Sequence, residues 1–294
     1  MNFTGFVEYV REKGWTLYGI SVCRDGRRIH SYYIDEAGAG RRHPIYSATK
    51  AVTSLAAGLG IQEGKLAQED SIYEYLGSEV PVYVSEEQRA RLKQITLRRL
   101  LAMSVQGWPF RPEGENWLEY ALTFPLGDIE TPAFSYSNIP AYLAGVAVEK
   151  AVGEHLYTYL NKRIFTPLEI WKPIYQNCPS GHFYGASGME LSVEELEKIG
   201  RLFLQEGNWQ GQQLVSPEYI REAVSIQQSN REGGYGYYIW YYPDGYYLSG
   251  KWGQRCLVLP KQKLTITYLS HMEQDSDVLM AAVERFLLDK VMNC

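Results

Sequence analysis

The chain has 294 residues, with 29 Lys+Arg against 34 Asp+Glu and a formal net charge of −5. With 45% hydrophobic and 21% charged residues it has ample chain for a core, so neither disulfide staples nor a structural metal is required. An acidic chain without a Lys/Arg-rich run is unsuited to nucleic acid, and no apolar run approaches the roughly 18 residues of a membrane span.

In chain order, Phe3, Phe6, Val7 and Val10 recur at helical spacing within Asn2–Lys13. The charged residues Glu8, Arg11, Glu12 and Lys13 stand where a secretory leader needs an apolar centre, so the chain reads as cytoplasmic. Residues 16–23 and 28–35 are β-rich runs around Arg24-Asp25-Gly26, and Asp-Gly is a strong hairpin signal. Ser47–Leu59 reads as a helix lined with small residues. Helical segments then dominate, at 96–104, 117–124 and 139–152, between Pro- and Gly-bearing loops. Ser192 to Glu195 forms a capping box that opens another helix. Strand signals return at 235–242, 246–249, 256–259 and 264–270, and 276–292 has the spacing of a last helix.

Strands near both ends most economically form one antiparallel sheet, covered by the first and last helices. The expected fold is therefore α/β (α+β), a single domain over 1–294. Its α/β part comprises 1–61 and 188–294, and a mostly helical insertion comprises 62–187. A ligand cleft is expected between the two parts. The four cysteines form no C-x-x-C pair and read as reduced thiols, and the five histidines show no metal-binding spacing. No metal and no cofactor is implied. The 24 Tyr, 9 Phe and 7 Trp ordinarily mean core and strand packing; an aromatic-lined groove is the alternative.

The chemistry concentrates at Ser47-Ala48-Thr49-Lys50, the one S-x-x-K at a predicted helix start. Positions i and i+3 share a helix face, so the Lys50 amine can lie beside the Ser47 hydroxyl. Burial would lower the lysine pKa and make the amine a base for a hydroxyl that is otherwise a poor nucleophile. Read alone, the segment is equally an N-capping serine followed by a solvated lysine. Tyr136-Ser137-Asn138 opens a later helix from a Ser-rich turn, whereas the Y-x-N segments at Tyr159 and Tyr175 do not. Lys251-Trp252-Gly253 ends a strand pattern, whereas Lys198-Ile199-Gly200 lies within a helix. Neither Lys50 nor Tyr136 is a base at its ordinary pKa, so both are expected to be depressed by burial and nearby cations.

Ser-x-x-Lys, Tyr-x-Asn and Lys-x-Gly in this order resemble the three motifs of the serine β-lactamase and penicillin-binding-protein superfamily. The resemblance is to the branch of class C β-lactamases, D,D-peptidases and esterases, and it extends over nearly the whole chain. Residues 95–104, 134–138, 164–168 and 185–189 are similar to further landmarks of that branch. The resemblance implies Ser47 as nucleophile, Lys50 as proton acceptor and Tyr136 as a proton shuttle to the leaving group. It implies Asn138 holding a substrate amide and Lys251 keeping positive charge near Tyr136. The backbone N–H groups of Ser47 and Gln254 would form an oxyanion hole beside Gly253. Trp252 departs from the family, which often has Thr or Ser there to contact a substrate carboxylate. Arg255 either supplies that contact or is solvated.

The expected function is a serine hydrolase acting through an acyl-enzyme on a small molecule: a β-lactam, a D-amino-acid peptide or a small ester. The alternative is a binding or sensing module that acylates slowly without turnover. One machinery suits all three substrate classes, and no sequence signal bears on oligomeric state.

Overall fold

A computed structural model describes residues 1–35, 38–273, 275 and 277–288. Asp25 and Gly26 both take positive φ, 50° and 76°, the turn geometry that closes a tight hairpin with the right-handed twist of its strands. It joins β1 (Leu17–Arg24) to β2 (Arg27–Tyr33). After a long excursion the chain adds β3 (Trp240–Tyr242), β4 (Gly245–Gly250), β5 (Gln254–Leu259) and β6 (Leu264–Ser270). The six strands form one sheet in the order β2-β1-β6-β5-β4-β3, antiparallel throughout. β6, near the C-terminus, pairs with β1 near the N-terminus, so the two ends of the chain build the centre of the sheet.

Alternation along the central strands sends side chains to two cores. Ile20, Val22, Leu257, Ile266 and Tyr268 pack against Phe6 and Val10 of α1 (Phe3–Glu12) and, at the far end of the chain, against Leu279 and Val283 of the helix Asp277–Leu287. On the other face Leu248, Cys256, Val258 and Leu269 join a larger core. That core contains α2 (Thr49–Gln62), α3 (Ile139–Val152) and α4 (Val193–Leu204). No strand of the main sheet comes from residues 62–187, and the larger core is continuous from that stretch to the sheet. β2 at the edge is mostly exposed and carries Arg27 and Arg28, charges that discourage edge-to-edge pairing.

Sequence expectation and structure differ at 235–242, where only Trp240–Tyr242 is strand. The aromatic run is buried rather than alternating, and its N–H groups bond helical backbone: Tyr237 to Ala223 at 2.8 Å and Tyr238 to Leu101 at 3.2 Å. Three short helices, Ile72–Leu76, Glu86–Lys93 and Pro217–Val224, are not expected from periodicity, since each makes barely two turns or fewer, whereas the helix Leu156–Leu160 agrees with the helical pattern around Tyr159. The expected last helix is present over Asp277–Leu287; Ser276 and 289–292 lie outside the described residues. Cys23, Cys178 and Cys256 are buried free thiols. No helix among the described residues is long and apolar enough to cross a membrane.

α4 lies so close to β5 that a Cβ on Gly200 would stand 2.1 Å from Cys256 Sγ. Gly200→Ala is expected to cost about 1–3 kcal/mol by overpacking, read as a lower urea midpoint at unchanged slope. Adding Cys256→Ala removes the clashing atom, so the double variant should be less destabilised than the sum of the two single changes.

Candidate active site

The segment entering α2 is held before the helix begins. His43 and Pro44 pair with Leu191 and Glu190, and the Ile45 N–H donates to Met189 O at 2.9 Å. Tyr46 then takes φ 47°, a left-handed conformation costly for a non-glycine residue, and Tyr46–Ala48 forms a short 3-10 turn into α2. Ser47 is half-buried on this turn. No side chain caps either the turn or α2, so Ser47 is not an N-cap.

Lys50 is 1% exposed, which removes the solvated-lysine reading. Its Nζ donates to Ser47 Oγ at 3.1 Å, Asn138 Oδ1 at 2.7 Å and Ala186 O at 2.9 Å. None of these partners is a carboxylate. Desolvation alone brings the amine down from its ordinary 10.5 to about 7.

Three chain segments meet to make this shell. Asn138, at the head of α3, points Oδ1 at Lys50 while its Nδ2 donates to the Tyr184 hydroxyl at 2.8 Å. Tyr184 lies edge-on to Trp117, with ring centroids 4.9 Å apart. The segment through Gly185 threads between α2 and α3, where a Cβ on Gly185 would meet Thr53 Oγ1 at 2.7 Å and Ala141 O at 3.0 Å. Glycine therefore permits the close approach that carries the Ala186 carbonyl to Lys50. The sequence marks 185–189 only as a family landmark; Tyr184 and Ala186 carry no recognisable signal of their own.

Tyr136 precedes α3 in a segment anchored by Ser137 Oγ to Pro109 O at 3.0 Å and by Asn138 N–H to Phe110 O at 2.7 Å. The Lys50 ammonium position is 4.9 Å from the centre of the Tyr136 ring. Against expectation, the Tyr136 pKa is raised, to about 12. Burial penalises the phenolate more than the nearby Ser47 hydroxyl favours it, and Tyr184 and Glu232 add to the penalty.

The third segment is a turn between β4 and β5. Gly250 backs directly onto the Ile45 carbonyl, where a Cβ would lie only 2.1 Å away, which sets the turn beside the Ser47 segment. Lys251 is exposed, its ammonium 4.2 Å from the Trp252 ring centre. Trp252 packs edge-on against Tyr46 at 5.2 Å and lies 4.3 Å from the His271 ring. Its φ of 63° disfavours a β-branched residue, so Thr at this position would be strained. Gly253 is buried at φ 85°. The Gln254 side chain turns inward, with Nε2 donating to Lys251 O and Ser270 O and Oε1 accepting from Ser270 N–H. Arg255 points to the opposite face of the sheet, where it pairs with Asp277 at 2.9 Å and bonds Ser249 at 2.8 Å. It is neither solvated nor at the cleft. No group of three or more His, Cys, Asp or Glu among the described residues is placed to hold a metal ion.

This arrangement joins a hydroxyl, an amine that loses its proton near neutral pH and a protonated phenol in one buried cluster. The amine can take the hydroxyl proton near neutral pH, and the phenol is held as a donor. Modification of Ser47 by a fluorophosphonate should therefore accelerate as pH rises through about 7, following Lys50 deprotonation. A rate independent of pH between 6 and 9, well around that value, would assign the base elsewhere. Tyr184→Phe should slow the same modification by roughly 3- to 10-fold, the scale of one net hydrogen bond, because the Asn138 amide loses its anchor.

A family model for Beta-lactamase matches residues 11–289. No curated protein sequence matches the chain. Among solved structures, one assigned as a 6-aminohexanoate-dimer hydrolase from Bacillus anthracis has a TM-score of 0.78 at 16% identity, covering 96% of this chain and 80% of that one. A protein assigned as a β-lactamase from Bacteroides dorei gives 0.76 at 16% identity, covering 96% of this chain and 97% of that one. A D-stereospecific amidohydrolase from Streptomyces gives 0.72 at 17% identity, covering 99% of this chain and 100% of that one. At these identities the structural likeness is one of fold. The family match takes in the central sheet and every motif segment described above, and the chain belongs to the Beta-lactamase family.

Proposed function

We propose that this protein is a serine hydrolase that works through a covalent acyl-enzyme on Ser47. The observation that carries the reading is the buried Lys50 amine, 3.1 Å from Ser47 Oγ and without a carboxylate to hold it protonated. Ser47 Oγ attacks the acyl carbon as its proton passes to Lys50. When the bond to the leaving group breaks, Tyr136 delivers a proton to the departing atom, and the proton that Lys50 took from Ser47 restores the phenol. Water then attacks the ester and gives a proton to Lys50, which returns it to Ser47 Oγ as the acid departs. Asn138 has a second amide N–H that can meet a substrate carbonyl while the first holds Tyr184. The backbone N–H groups of Ser47 and Gln254 are the proposed oxyanion donors.

The names of the structural neighbours, a dimer hydrolase and an amidohydrolase, support hydrolysis of an acyl bond in a small molecule. A β-lactam, a D-amino-acid peptide or a small ester all fit this machinery. Trp252 fills the position from which a hydroxyl would hold a β-lactam carboxylate, so small esters are favoured over β-lactams. One observation favours the slow-turnover alternative: the Lys251 ammonium lies against the Trp252 ring, so the positive charge expected beside Tyr136 for deacylation is directed elsewhere.

Incubation with a fluorophosphonate should add one adduct mass to the peptide containing Ser47. The adduct should be absent in Ser47→Ala, and Lys50→Ala should form it about 100-fold more slowly or worse. An adduct on another residue would overturn the assignment. With an activated ester, steady product release supports the hydrolase, whereas a single equivalent followed by a plateau supports the sensing module.

A further inference from the structure

A cleft of about 530 Å³ lies beside Tyr136, with Phe134 and Trp240 as its other aromatic walls and a loop of residues 229–232 as its rim. Tyr136 and Trp240 have ring centres 5.5 Å apart, and Phe134 lies 6.0 Å from Trp240. Tyr247 stacks behind Trp240 at 6.3 Å and 7°, and Tyr235 packs edge-on at 4.7 Å, so the wall is braced from within the fold. Glu232 on the rim is exposed, and its charge reaches the phenols of both Tyr136 and Tyr247. The neighbouring Arg231 also lines the cleft.

If Tyr136 hands its proton to the departing atom, the leaving group must lie next to Tyr136, and this cleft is the space there. Electron-rich ring faces attract a cation, and a carboxylate at the rim adds attraction for a cation and repulsion for an anion. We propose that the cleft is a leaving-group subsite for a cationic amine, held by Trp240 and Phe134 with Glu232 as counter-charge. The proposal rests on the acyl-enzyme reading and adds the class of substrate: esters or amides whose leaving group carries an ammonium.

The test uses the butyrate esters of choline, of its uncharged isostere with carbon in place of nitrogen, and of an ω-hydroxy carboxylate of similar length. Acid release at constant pH gives kcat/KM for each, and mass spectrometry of quenched samples reports butyryl-Ser47. The choline ester should exceed the neutral isostere by about 10-fold and the anionic ester by more. In Glu232→Gln the ratio of choline to neutral ester should shrink to about 2- to 3-fold, with the aromatic walls retained. Equal rates for choline and isostere, or a preference for the carboxylate lost in Arg231→Gln, would overturn the cationic subsite. A choline preference unchanged in Glu232→Gln would remove Glu232 from it. Absence of butyryl-Ser47 with all three esters would instead overturn the acyl-enzyme reading beneath the proposal.

Discussion

Taking the Lys50 amine out of water without a carboxylate beside it is unfavourable for the ammonium form, and three chain segments are arranged around that cost. Ser47, Asn138 and Ala186 O supply oxygen atoms but no counter-charge, so the neutral amine is stabilised relative to the cation. The helix α2 brings Ser47 and Lys50 together, α3 brings Asn138, and the Gly185 segment between them brings the third acceptor. Because the folded-state amine titrates near 7 and the unfolded one near 10.5, the unfolded chain binds the proton more readily between those values. The contribution of Lys50 to stability is therefore present above about 10.5 and is lost as pH falls toward 7. Stability is given up at the pH where a neutral amine is useful.

Burial acts in opposite directions on Lys50 and Tyr136. It lowers the amine, whose charged form is the protonated one, and raises the phenol, whose charged form is the deprotonated one. The same loss of water thus moves the amine and the phenol apart, with Glu232 adding to the shift of the phenol. Groups whose surroundings push their pKa values apart are the ones to which acid and base roles can be assigned. A cation beside Tyr136 would narrow that separation, and the Lys251 ammonium lies instead against the Trp252 ring.

Aromatic residues carry much of the geometry around this pair. Trp117 braces Tyr184, which orients Asn138; Tyr46, Trp252 and His271 pack the β4–β5 turn against the nucleophile segment. Phe134, Tyr136, Tyr235 and Trp240 form a continuous wall. The abundance of tyrosine thus serves both of the uses open to it, core packing and an aromatic-lined cleft.

The motifs, the hairpin at Asp25-Gly26, the capping box at Ser192 and the helix Ile139–Val152 were legible because each depends on local geometry or on one strong periodicity. So was the antiparallel sheet built from both termini, since strand runs at either end have no better partners. Three short helices and the 235–239 loop were not legible. Those helices lack a full face, and the loop has the residue pattern of a strand although its N–H groups bond helical backbone. Nothing local distinguishes Tyr184 or the Ala186 carbonyl, which matter only because Gly185 lets their segment pass between two helices. The sequence by itself determined which motif residues are candidates for the chemistry and in what order they occur. Tertiary structure decided their protonation, the placement of Arg255 on the far face and of Lys251 against Trp252, because desolvation and contact depend on neighbours distant in the chain.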